Sequence, residues 1–457
     1  IAAISTATGN GGIGIIRMSG ENCFNILEKI FKTSKNNKIN IEKIKGYTIQ
    51  YGYIIDNKTN EIIDEVLVSF FRNPKSYTRE NMCEINSHGG MVVEKRILEE
   101  CLKNGAILAE PGEFTKRAFL NGRIDLSQAE SIIDIINSKT EKEAKASINQ
   151  LQGYLSENIG KIRHELLDIM ADIEASIDYP EYDIEEVTNS KAIKLLENVK
   201  SKLKILEESF NSGKVLKEGI KTAIIGRPNA GKSSLLNTIL KEERAIVSDI
   251  EGTTRDTIEE LVTIKGIPLK IIDTAGIRKT SDKIEEIGVE KALKVAEDAD
   301  LILAIIDNTK ELNEEDLKIL NLVKNKNAII LLNKIDLQVN NLEKNENIIN
   351  ANKKVIKIST KNRDGIEELY KEIEKMFNIK EIDIDSGNLI TNIRHKNQIT
   401  NSIKNINEAI NAINLNLPID IISISIKETL EDLGKITGDN VGEDIINEIF
   451  SKFCLGK

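Results

Sequence analysis

The sequence predicts a multidomain chain of α/β and α+β type, with a parallel-sheet domain inserted into an all-helical one and a smaller α+β domain ahead of both. Three observations carry this. Residues 216 to about 378 alternate strand-like and helix-like runs. Apolar residues three and four apart fill the flanks, from about Glu113 to Ser212 and again after about Asn388. Residues 1 to about 115 mix strands with a helix. Chain ends of a domain often lie close together, so one helical domain interrupted by the α/β block is the economical arrangement. The expected division is 1–115, 116–213, 214–380 and 381–457.

Composition sets limits. A chain of 457 residues suggests about three domains. Its 40% apolar and 30% charged content is that of an ordinary globular protein rather than a disordered one. With a net charge of −10, non-specific binding to polyanions is not expected from the chain as a whole, so any nucleic-acid contact must use a local patch or a partner. Cys23, Cys83, Cys101 and Cys454 have neither metal spacing nor a disulfide framework, which fits a cytoplasmic protein. No basic-then-apolar leader opens the sequence. It starts at Ile1 and not Met, so a few residues are expected to be missing. The longest apolar stretches, such as Leu301–Ile306, are too short to span a bilayer.

The elements follow in order. Gly11–Arg17 reads as a turn running into a strand that ends in a charge. Tyr51–Asp56, Asp64–Phe71 and Met82–Asn86 are strands, and Met91–Lys103 has helical spacing. Leu126–Asn137 and Glu141–Ile177 are helical, and Tyr179-Pro180-Glu181 breaks the run. A further helix covers about Ser190 to Phe210, ended by Ser212-Gly213. In the α/β block, strands are expected at Ile220–Ile225, Glu260–Lys265, Pro268–Ile272, Ala328–Leu332 and Val355–Ile358. Asn340–Asn352 is read as a loop with a short helix. Helices follow at Leu389–Ile413, Asp420–Ile436 and Val441–Phe453.

Chemistry begins at Gly226–Ser233, whose spacing is Gly-x4-Gly-Lys-Ser. A glycine-rich turn between a strand and a helix closes backbone N–H groups around an oxyanion, and the helix N-terminus adds favourable partial charge. The candidate contacts are Asn229, Ala230, Gly231, Lys232, Ser233 and Ser234. Lys232 can reach the terminal phosphates and the Ser233 hydroxyl can ligate Mg²⁺. Gly252-Thr253-Thr254-Arg255-Asp256 lies in a polar loop where a threonine can complete Mg²⁺ coordination and sense the γ-phosphate. Asp273-Thr274-Ala275-Gly276 follows a strand and suits an outer-sphere Mg²⁺ carboxylate and a γ-phosphate N–H. Asn333-Lys334-Ile335-Asp336 also follows a strand. The Asp336 carboxylate accepts both guanine N1–H and its exocyclic amine; adenine would face it with a lone pair. Ser359-Thr360-Lys361 can close over the base. Five motifs in this order define a Ras-like P-loop G domain that binds GTP.

The hydrolytic machinery is less usual. The residue after Gly276 is Ile277, where many small GTPases carry the glutamine that orients water. No arginine finger is evident from spacing. Asp282, Glu285 and Glu286 are candidate carboxylates, though charge pattern alone favours reading each as a solvated helix-start residue. Asn229 alone is readable as a turn residue. His88 reads as a turn residue, and His164 and His395 sit in helical text without a partner pattern.

With GRPNAGKS, GTTRD, DTAGIR, NKID and the final Phe453-Cys454-Leu455-Gly456-Lys457 in view, the sequence resembles the MnmE (TrmE) family of tRNA-modification GTPases over nearly its full length. The resemblance implies an N-terminal folate-binding and dimerising domain, a helical domain in two segments and a G domain between them. It implies K⁺ where an arginine finger would act, ligated by Asn229 and by carbonyls of Ser248, Ile250 and Thr253, in a loop that includes Asp249 and Glu251. It implies that Glu285 orients water and that Mg²⁺ falls to Ser233 and Thr254. It places a methylene- or formyl-tetrahydrofolate on Arg17, Glu84, Arg123 and Lys457, and gives Cys454 a direct chemical part. Arg123 stands where relatives often have lysine, which keeps the charge and changes the hydrogen-bond shape. It further implies a homodimer that works with an FAD-dependent partner, MnmG, as a heterotetramer on the wobble uridine of certain tRNAs. The phosphate loop alone leaves a second reading, a GTPase switch in ribosome assembly. Such a protein would be expected to carry a basic RNA-binding domain at its C-terminus; here that region is helical and mildly charged.

Overall fold

The structure is a computed structural model that describes residues 1–7, 9–33, 41–178, 185–242, 260–272, 296–337, 340–377 and 389–457. The chain divides into two compact units, residues 1–133, 151–156 and 431–457 in one, and 134–150 and 157–430 in the other. This grouping differs from the chain-order division. Residues 116–133 and 431–457 pack on each other through Ala118, Ile124 and Leu126 against Ile446, Phe450 and Phe453, and Tyr77 of the N-terminal domain packs against the same cluster.

The first unit is built on a six-stranded antiparallel sheet of order β1-β2-β6-β5-β4-β3. Its strands are β1 (Ala2–Ile4), β2 (Gly14–Ser19), β3 (Phe31–Thr33), β4 (Thr48–Ile55), β5 (Ile62–Phe71) and β6 (Met82–Ser87). Two helices, α1 (Cys23–Ile30) and α2 (Met91–Lys103), are part of it. Ile16, Met18, Cys83 and Ile85 of the sheet share one core with Leu27, Ile30, Ile97 and Cys101 of the helices. Side chains alternate across a strand, so Arg17, set between Ile16 and Met18, belongs to the other face. The register puts Arg17 opposite Glu84 on the neighbouring strand. α3 (Glu113–Leu120) and helix Glu443–Ser451 complete the unit's second apolar cluster. All four cysteines are thiols, with Cys454 exposed.

In the second unit, β7 (Ile220–Ile225), β8 (Glu260–Ile264), β9 (Ile267–Ile271), β10 (Leu301–Asp307), β11 (Ala328–Asn333) and β12 (Lys354–Lys357) form a sheet of order β12-β11-β10-β7-β9-β8. Five strands run parallel, and β8 pairs with β9 antiparallel, which the alternation of strand and helix did not reveal. β10 and β11 are buried along their whole length, as a sheet covered on both faces requires. Separate cores lie on the two faces.

Two helical runs differ most from expectation. The run expected over Glu141–Ile177 is two helices, Glu141–Leu151 and Tyr154–Asp178. Gln128 Nε2 donates to the Leu151 carbonyl at 2.8 Å, satisfying one of the orphan acceptors at that helix end. The helix expected to stop at Ser212-Gly213 runs from Glu185 to Glu218. Gly213 serves close packing instead: a Cβ there would lie 2.1 Å from the Ile390 carbonyl oxygen. No described helix is long and apolar enough to cross a membrane.

Candidate functional site

The phosphate loop leaves the carboxyl end of β7 and enters α4 (Lys232–Glu242), where parallel sheets place their ligands. Two residues in it adopt left-handed backbone, Asn229 at φ 61° and Gly231 at φ 112°. A Cβ on Gly231 would lie 2.1 Å from Asn333 Nδ2, so a side chain there collides with the nucleotide-motif asparagine. Lys232 Nζ donates to the carbonyls of Gly226 at 2.7 Å and Arg227 at 2.9 Å, across the mouth of its own loop. Ser233, in the first turn of the helix, is half-buried, and Ser234 is exposed.

Asn333 ties the motifs together. Its Nδ2 donates to the Ala230 carbonyl at 2.9 Å and its Oδ1 accepts from the Thr360 N–H at 3.2 Å. Lys334 Nζ reaches the Asn229 carbonyl at 2.7 Å and Asp307 Oδ2 at 2.8 Å. Ser359 Oγ donates to Asp336 Oδ1 at 2.7 Å, which fixes the carboxylate's orientation. Lys361 is exposed beyond it. The Asn229 side chain is exposed and has no partner among the described residues. Residues 248–254, 273–276, 282 and 285–286 lie outside the described residues.

Asp307 is buried at the carboxyl end of β10. Burial pushes its pKa up, but hydrogen bonds from Lys334 and Thr309 outweigh that, and the carboxyl sits below its usual range. Arg227 and Asp316, both buried, form an ion pair at 3.0 Å that joins the loop to the capping box of helix Glu314–Val323. Burial raises the pKa of Asp316.

The first unit gathers a second set. Arg17 donates to Glu84 Oε1 through Nε at 3.0 Å and Nη2 at 2.8 Å, and through Nη1 to the Gly456 carbonyl at 3.3 Å. Ser5 Oγ donates to that same carbonyl at 2.9 Å. Gly112 N–H reaches the Cys454 carbonyl at 3.3 Å, and Phe114 N–H the Lys457 carbonyl at 3.1 Å. The final five residues are thus fastened to β1, β2 and α3. Gly456 needs to be glycine: its φ is +85° and a Cβ would lie 2.2 Å from the Ile4 carbonyl. Arg123 lies over the Tyr77 ring at 4.4 Å. Burial and the nearby Arg17 guanidinium hold the Lys457 ammonium pKa below the usual lysine range. Among the described residues, neither Arg123 nor Lys457 has a carboxylate partner.

Comparison with known proteins places the whole chain in one family. Residues 126–454 match the model of the MnmE helical domain, and residues 1–123 that of the GTP-binding protein TrmE N-terminus. The chain belongs to the MnmE family. It is 50% identical to the tRNA modification GTPase MnmE of Acetivibrio thermocellus, covering 100% of this chain and 99% of that one. To the proteins of the same name from Alkaliphilus metalliredigens and Alkaliphilus oremlandii it is 47% and 48% identical, at the same coverage.

The structure therefore brings Arg17, Glu84, Arg123 and Lys457 into one place, and Asn229–Ser233 together with Asn333, Lys334, Asp336 and Ser359 into another. Cys454 lies on the fastened tail with its thiol exposed. Sequence reasoning missed Asp307, Asp316 and Tyr77. Asp307 carried a readable signal, a lone carboxylate ending an otherwise apolar parallel strand, where ligands gather. Tyr77 carried none.

Proposed function

We propose that this chain is a K⁺-activated, Mg²⁺-dependent GTPase that, as a cytoplasmic homodimer and with an FAD-dependent MnmG-type partner, modifies C5 of the wobble uridine of certain tRNAs. The group added is of the carboxymethylaminomethyl or aminomethyl type, with its carbon drawn from a tetrahydrofolate. The observation that carries the GTPase reading is the cradle at Gly231, closed so tightly on Asn333 that phosphate loop and base motif form one piece. Family membership supports the tRNA reading, since the relatives are named tRNA modification GTPases.

The residues fit the groups this function needs. Ser233 stands at the helix start, where a hydroxyl can ligate Mg²⁺ with Thr254. Asn229 has its carbonyl held by Lys334 and its side chain available, which suits a K⁺ ligand alongside Ser248, Ile250 and Thr253. A bound monovalent cation supplies fixed positive charge where the β–γ bridge gains negative charge. Lys232 meets the terminal phosphates and Glu285 orients water. Asp336, pre-set by Ser359, selects guanine. In the first unit, Arg17 pairs with Glu84 while Arg123 and Lys457 have no carboxylate partner among the described residues, which suits a ligand rich in acceptors and carboxylates such as a tetrahydrofolate. Cys454, presented beside it, is the candidate for direct chemistry.

Nucleoside analysis of tRNA from cells lacking this gene tests the reading. C5-modified wobble uridines should disappear and return with the wild-type gene. Unchanged wobble uridines would remove the tRNA function while leaving the GTPase intact.

A further inference from the structure

Tyr77 stands at the centre of the cation cluster. The Arg17 guanidinium carbon lies over its ring at 5.3 Å from the centroid and the Arg123 guanidinium carbon at 4.4 Å. Its hydroxyl is tied to Thr115 Oγ1 at 2.9 Å, and Thr115 is fully buried in the first turns of α3. The neighbouring Phe114, also fully buried, carries Arg17 at 5.6 Å. The two arginines differ in how they are held. Arg17 has Glu84 and the Gly456 carbonyl to fix its direction. Arg123 has no carboxylate partner among the described residues, so the Tyr77 ring is the contact that directs it. A long arginine side chain without an anchor samples many rotamers. A ring face attracts the cation and stacks its planar fork while leaving the N–H donors unspent.

We propose that Tyr77 is a positioning residue of the tetrahydrofolate site, holding Arg123 and supporting Arg17 so that their remaining donors meet the ligand. The ring face, not the hydroxyl seated on Thr115, sets the cations. This rests on the folate reading of the first unit and adds to it a residue that touches the arginines rather than the reaction.

The test is titration of the full-length protein with 5-formyltetrahydrofolate, comparing wild type with Tyr77→Leu, Tyr77→Met and Tyr77→Phe. Loss of the ring should weaken binding about tenfold, the combined scale of an exposed cation–π contact to Arg123 and a more buried one to Arg17. Tyr77→Phe should bind within about threefold of wild type, because the ring remains. Tyr77→Met fills similar space without a ring and serves if Tyr77→Leu does not fold. In an Arg123→Ala background, loss of the ring should cost visibly less than in wild type, a coupling that a merely structural role would not produce. GTP affinity, which resides in the other unit, should not move. Ringless variants that bind like wild type, Tyr77→Phe as weak as they are, or strictly additive losses with Arg123→Ala would each overturn the role of Tyr77 alone. Wild-type protein that binds no tetrahydrofolate would sink the folate reading, and this inference with it.

Discussion

The phosphate-loop site takes its cradle from eight consecutive residues, Gly226–Ser233, whereas the cation site of the first unit takes residues 17, 84, 123 and 457 from four distant stretches of chain. The first is made largely of backbone. Its specificity lies in left-handed φ values and in carbonyls held by Lys232, Asn333 and Lys334. The second is made of side chains that meet because a strand register puts Arg17 against Glu84 and because the tail is fastened across it. A backbone site is written locally, in glycine spacing. A side-chain site exists only once the fold has formed, and it depends on packing that its own residues do not encode.

That contrast can be broken most severely at its two glycines. Gly231→Ala should weaken GTP binding by about 100-fold or more, since a left-handed alanine and a collision with Asn333 together cost roughly 3 kcal/mol. Titration with a fluorescent guanine nucleotide measures it, and tetrahydrofolate binding should stay unchanged. Gly456→Ala should do the reverse. The tail would lift from Ile4, tetrahydrofolate affinity should fall about 30-fold, roughly 2 kcal/mol, and GTP affinity should hold. If either substitution damaged both ligands equally, the two sites would not be separable as described.

Smaller changes sharpen the comparison. Asp307→Asn keeps shape and removes the counter-charge of Lys334, which is itself partly exposed. GTP affinity should drop about tenfold, in line with roughly 1.5 kcal/mol, the low end for a hydrogen bond to a charged group, as suits a partly exposed lysine. An unchanged affinity would show that Lys334 holds the Asn229 carbonyl without help. Smaller still is a pH effect at Lys457. Its ammonium loses its proton below the ordinary lysine value of 10.5, so its charge is present at low pH and is lost as pH rises through the lowered pKa. Affinity for an anionic folate should therefore decline in alkaline buffer before an exposed lysine would titrate. Lys457→Gln should flatten that decline; a profile identical in the variant would assign it to another group.

Much of the fold was legible because periodicity records burial. The helix Met91–Lys103 and the strand Ile220–Ile225 carry their boundaries in the sequence itself. Strand direction is not recorded there, so the antiparallel edge strand Glu260–Ile264 could not be told from its parallel neighbours. Gly213 shows the limit of a local signal. Glycine ends helices, and glycine also lets a second backbone come close, and only the position of Ile390 decides between them. Asn333, Lys334 and Asp336 were readable as a base-recognition motif, but their hold on the phosphate loop was not. Arg17, Glu84, Arg123 and Lys457 could be named only through resemblance to a family, because no spacing predicts that a strand pair, a helix-end loop and the last residue converge. Tyr77, which touches two of them, was invisible for the same reason.

The most direct measurement of the proposed chemistry is the rate of GTP hydrolysis in K⁺ and in Na⁺ at matched ionic strength, for wild type and Asn229→Ala. Wild type should turn over at least about tenfold faster in K⁺, the scale of one well-placed electrostatic contact in a transition state, and Asn229→Ala should lose most of that difference while still binding nucleotide. Equal wild-type rates in the two salts, or an Asn229→Ala protein with its K⁺ advantage intact, would contradict the assignment of an alkali cation to this phosphate loop.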